Sequence, residues 1–64
     1  MSYVVVIEGI SGSERYLKGR AETAEAKAAQ HFRSERSAQE AAQGHIGAFP
    51  PVIQRAMAFR VECR

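Results

Sequence analysis

The sequence predicts a small α+β domain: an antiparallel sheet of three to four strands with one main helix packed on one face, in the order β-β-(β)-α-β. Three observations predict it. Residues 3–10 open the chain with β-branched and aromatic side chains, and residues 55–63 close it with strict alternation. Between them, residues 34–43 and the positions that follow place Ala38, Ala41, Ala42, His45 and Ile46 at spacings of three, four and seven, one face of a helix. Those positions are mostly alanine, so this helix can lie close on the sheet but buries little area per turn.

The run Tyr3-Val4-Val5-Val6-Ile7 is apolar on both faces, as a central strand is. Turn chemistry at Ser11-Gly12-Ser13 predicts a hairpin into Glu14-Arg15-Tyr16-Leu17-Lys18, which Gly19 ends or bulges. Gly9-x-x-Gly12 has the spacing of a backbone-clamping RNA loop, but that loop lies between helices and this one lies between strands. Residues 20–43 contain neither Gly nor Pro, yet the apolar stripe from Ala24 and Ala28 to Phe32 does not continue into the one that starts at Ala38. The break falls at Ser34 and Ser37. Ser37-x-x-Glu40 fits a capping box and Ser34 is the alternative cap, so a helix starts at 34–37. Residues 23–27 read as a helical turn, and residues 28–32 as a short third strand or a continuation of that turn.

Gly44 reads as the helix C-cap. The following connector ends in Phe49-Pro50-Pro51, stiffened toward polyproline II. In the last strand Arg55, Met57, Phe59, Val61 and Cys63 share one face; Gln54, Ala56, Ala58, Arg60 and Glu62 share the other. It is expected to pair with the first strand at the sheet centre.

Length and composition bound the function. Sixty-four residues make one domain, 1–64, whose core is too small for a deep substrate cleft, and self-association is the usual way such a chain covers its remaining apolar surface. The single Cys63 allows no internal disulfide, which fits a reducing cytoplasm. Neither a basic leader nor an apolar run of spanning length is seen, so a membrane association is not expected. Nine basic residues are offset by seven glutamates, and a net charge of +2 is weak grounds for nucleic acid.

His31, His45 and Cys63 lack the short spacing of a zinc site. Cys63 with a histidine is the sole nucleophilic pairing, and its place on the apolar face of a terminal strand reads as packing. Phosphate-binding and dinucleotide motifs are absent. The expectation is therefore a non-enzyme without cofactor or metal.

The layout Tyr16-Leu17-Lys18, then Ala29-x-x-Phe32-x-Ser34-x-x-x-Ala38-x-x-Ala41, then an alternating strand, resembles small β-rich α+β proteins of bacteriophages and prophages. That group includes anti-CRISPR proteins, which bind a host protein. The resemblance implies a non-enzymatic accessory protein acting by direct protein–protein contact, with inhibition of a host defence complex as one form. It assigns no residue a role.

The residues themselves point the same way. An alanine-faced helix cannot hide both faces of a sheet bearing Val4, Val6 and Ile10, the Arg15–Lys18 strand offers an edge, and Phe49-Pro50-Pro51 makes a stiff apolar corner. The candidate partner-binding positions are Arg15, Tyr16, Lys18, Arg33, Arg36 and Phe49. The alternative is a small nucleic-acid-binding module, with basic residues around a sheet face on which Tyr3, Tyr16 and Phe59 stack bases.

Overall fold

A computed structural model describes residues 1–9 and 11–64. Ile10, assigned to the first strand by its sequence, lies outside the described residues. The fold is α+β, as predicted: a four-stranded antiparallel sheet in the order β3-β2-β1-β4 carries one main helix. The strands are β1 (Tyr3–Glu8), β2 (Glu14–Lys18), β3 (Ala21–Thr23) and β4 (Ala58–Cys63). Between β3 and β4 the chain forms a single 3-10 turn (Ala26–Ala28), helix α1 (Glu35–Gly47) and the short helix α2 (Pro51–Gln54).

β1 is central, and β4 pairs with it over its whole length, from Tyr3↔Cys63 to Glu8↔Ala58. The β1–β2 connection turns through Gly12, whose φ of 79° an L side chain rarely adopts. β2 reaches β3 through Gly19-Arg20, and a positive φ at Gly19 (61°) suits the first position of a two-residue hairpin. β3 falls within residues that the sequence assigns to no strand and, at Thr23, to a helical turn. Ala21-Glu22-Thr23 has little intrinsic strand preference; the hairpin supplies β2 as its partner. The helical turn itself sits three residues later.

Residues 28–32 are not a full strand. They fill the gap where β1 and β2 diverge: Gln30 donates its backbone N–H to Leu17 O at 3.0 Å, and Tyr3 and Phe32 exchange two backbone bonds of 2.9 and 2.8 Å. Only that bridge at Phe32 is strand-like.

Ser34, the alternative cap, starts α1; its Oγ accepts from the N–H of Ser37 at 3.1 Å. Ala38 and Ala42 are fully buried against Val5, Ile7 and Leu17, with Tyr3, Phe32, Met57, Phe59 and Val61 around them. Alanine on the helix and β-branched residues on the sheet thus set the spacing of the layers. The helix does not stop at Gly44. It continues to Gly47 and ends with Phe49 N–H donating to Ile46 O at 3.0 Å, because His45 gains a tertiary partner that outweighs the roughly 1 kcal/mol a glycine costs inside a helix. Pro50 keeps polyproline II angles (φ −58°, ψ 149°), whereas Pro51 begins α2, where its missing N–H costs nothing.

Candidate protein-binding corner

The second face of the sheet is closed. Val4 and Val6 are only 2% and 1% exposed, although among the described residues no second α-helix lies on this face beyond the short 3-10 turn beside Val4. The cross-strand register explains their cover. Val6 stands beside Tyr16 and Arg60, and Val4 beside Glu62. Arg60 donates through Nη1 and Nη2 to the two oxygens of Glu14 (2.6 and 3.3 Å) and through Nε to Glu62 (2.8 Å). Arg64 donates to the other oxygen of Glu62 at 2.9 Å, and its guanidinium lies 6.0 Å from the centre of the Tyr16 ring. Arg60, its head held in this charged lattice, borders Val6 with its long stem, whereas Val4 is flanked by Ala26 and Lys27 of the 3-10 turn, by His31 and by Arg64. The expectation of a free apolar sheet face is therefore corrected. Hydrogen bonds from Arg60 hold the Glu14 and Glu62 carboxyls below their usual range, and the same bonds raise the Arg60 guanidinium.

β2 is likewise no edge, since β3 pairs with it. Apolar surface concentrates instead at the corner after α1. An open groove of about 440 Å³ is lined by Gly9, Ser11, Glu22, Phe49, Ile53 and Met57. Val52, on α2 beside it in sequence, is 73% exposed. The corner is held by a polar seam. His45 donates its Nε2–H to Glu22 at 2.7 Å, since an ionised carboxylate can only accept, and Arg15 meets the other Glu22 oxygen at 3.6 Å. The His45 ring stands edge-on to Phe49, with centroids 5.4 Å apart. Gln54 locks the loop by donating to the carbonyl of Phe49 at 2.6 Å. His45 also lines a second groove of about 420 Å³ with Gly19, Arg20, Ala41, Gly44 and Ala48, so the Glu22–His45 bond forms the ridge between two hollows.

Of the six positions singled out from sequence, the structure brings together Arg15 and Phe49, both joined to this seam. Tyr16 lies on the opposite sheet face under Arg64. Lys18 ends β2, Arg33 precedes the α1 cap, and Arg36 pairs with Glu40 along the exposed side of α1 at 3.4 Å. Glu22, Val52, Ile53 and Met57 were not anticipated as site residues. Pro51 followed by Val-Ile carries the one signal available, a helix start with apolar residues behind it. Tyr3 and Phe59 pack under α1 while Tyr16 faces away, so these aromatics do not form one stacking platform.

His31 shares a hydrogen bond with Ser2 (2.6 Å), Cys63 is exposed, and among the described residues no group of three or more His, Cys, Asp or Glu is placed to hold a metal. No described helix is long and apolar enough to cross a membrane. No protein-family model, curated protein or solved structure matches the chain.

Proposed function

We propose that this chain is a non-enzymatic accessory protein that acts by direct contact with another protein, through the corner formed by Phe49, Val52, Ile53 and Met57. The observation that carries the reading is the groove lined by Phe49, Ile53 and Met57, with the exposed Val52 next to Ile53 in sequence and the loop braced by the Gln54 and His45 contacts. Apolar area left wet on a rigid corner stabilises a complex when a partner covers it, and little ordering cost is added because the loop is already held. The partner is a protein segment presenting an apolar side chain to the groove. The likeness to small phage proteins makes a host protein, such as a component of a defence complex, the first to test.

Tagged protein is incubated with bacterial lysate before and after nuclease treatment, and captured proteins are identified by mass spectrometry. The expected result is a protein that survives nuclease and is lost with Val52→Glu or Phe49→Ala, while Arg36→Ala retains it. Capture that depends on nucleic acid, or that ignores both corner substitutions, overturns the reading. Val52 is exposed, so Val52→Glu leaves folding intact and isolates the surface effect.

A further inference from the structure

The two edges of the sheet are built differently. β3 is three residues long, and its Glu22 faces the helix side, where His45 holds it. Short length and an inward charge both keep an edge from pairing with another chain. β4 has neither protection. It runs for six residues without proline or lysine, and no strand lies beyond it among the described residues.

The ladder phase identifies its free groups. Ser2 and Arg64 exchange both backbone bonds, at 3.2 and 2.7 Å, so by alternation Val4 bonds Glu62 and Val6 bonds Arg60. The N–H and C=O groups of Phe59, Val61 and Cys63 therefore turn away from β1, along the outer edge. The side chains of Phe59 and Val61, although they face the helix, remain only half-buried.

We propose that β4 pairs antiparallel with β4 of a second copy of this chain, about a two-fold axis at Val61, joining the two sheets into one. The charge pattern selects that axis. With the axis at Val61, Arg60 stands opposite Glu62 of the second copy, twice by symmetry. On the helix side Val61 meets Val61 of the second copy, and Phe59 meets Cys63. About six backbone hydrogen bonds form, because the three outward-facing residues pair with one another. An axis at Arg60 sets that arginine against its own copy. An axis at Glu62 does the same for the carboxylate and sets Arg60 against Arg64. Axes at Phe59 or Cys63 leave half or more of the strand unpaired. Like charges directly opposite destabilise a strand pair and opposite charges stabilise it, so the sequence of β4 is complementary to itself in one register.

Sedimentation equilibrium with the full chain tests the pairing. The wild type is expected to dimerise. Arg60→Glu and Glu62→Arg, each alone, weaken self-association on the order of tenfold or more, because each places like charges opposite at two sites. An equimolar mixture of these two variants recovers the dimer, a result that misfolding of either cannot produce. In a Cys63→Ser background, Val61→Cys crosslinks under mild oxidation, since a bonded antiparallel pair stands about 5.5 Å apart at Cα, within disulfide reach. Ala58→Cys, about 20 Å from its copy in this register at the usual strand rise, does not. A wild type that stays monomeric to millimolar concentration, or a dimer that Val61→Cys fails to crosslink, overturns the proposal. Val52→Glu leaves dimerisation unchanged, which keeps this pairing separable from the corner contact.

Discussion

Ala42 and Ala38 are completely buried where α1 meets Val5, Ile7 and Leu17, and their small size sets how near the helix lies. A larger side chain there has no void to enter, because the layers already touch. Ala42→Leu is therefore expected to destabilise the fold by about 1–3 kcal/mol despite adding apolar area. Gln43→Ala, on the exposed side of the same turn, should stay within about 0.5 kcal/mol. Urea denaturation of the two variants checks both. The helical spacing of these alanines is visible in the sequence, and so is their role in contacting the sheet. The pairing of Glu22 with His45 is not, because 23 positions separate them and nothing local marks either as the other's partner.

At the scale of elements, α1 is longer than its local signals imply. Gly44 lies inside the helix rather than at its end, a Cβ there would meet nothing within 4 Å, and its φ is not positive. Gly44→Ala should accordingly stabilise the protein by about 0.5–1 kcal/mol, from helix preference and a less flexible unfolded chain. Gly19→Ala should have the opposite sign, since φ of 61° is strained for any L side chain. Thermal melts of the two variants at one protein concentration give the comparison. β1, α1 and β4 were legible because each carries a repeating pattern: β-branched on both faces, alanines at helical spacing, or strict alternation, although the alternation read as strand from Arg55 pairs only from Ala58, since Pro51 starts a helical turn that runs to Gln54. β3 and the segment beside Phe32 carry none; they are ordered by the backbone groups that β1 and β2 leave open.

For the whole molecule, the charged lattice on the outer sheet face links β2 to β4 and ties stability to pH. Glu14 and Glu62 are held below the ordinary carboxylate value of 4.5, first through their hydrogen bonds with Arg60. A carboxylate depressed in the folded state contributes stability that is present above 4.5 and is lost as pH falls through its lowered value. The midpoint of thermal unfolding should thus drop between pH 5 and pH 3, at fixed protein concentration. Arg60→Met keeps much of the apolar cover over Val6 but removes the charge, and should flatten that drop. High salt should narrow the difference, because these groups are solvent-exposed. A variant with an undiminished acid response would mean that the lattice is not what couples the fold to pH.

The sequence by itself determined the fold class, the central place of β1, the pairing of β1 with β4 and the face by which α1 contacts the sheet. Each follows from a period that a strand or helix must obey whatever surrounds it. Only the tertiary structure decided which surfaces remain open. Two valines that look bare along the chain are flanked by groups from distant elements, Val6 by Arg60 of β4 and Val4 by the 3-10 turn, His31 and Arg64, and apolar surface gathers where α2 turns back beside Met57. Within one chain, no strand among the described residues pairs with the outer edge of β4. Exposure depends on neighbours from across the fold, and a linear pattern carries no record of them.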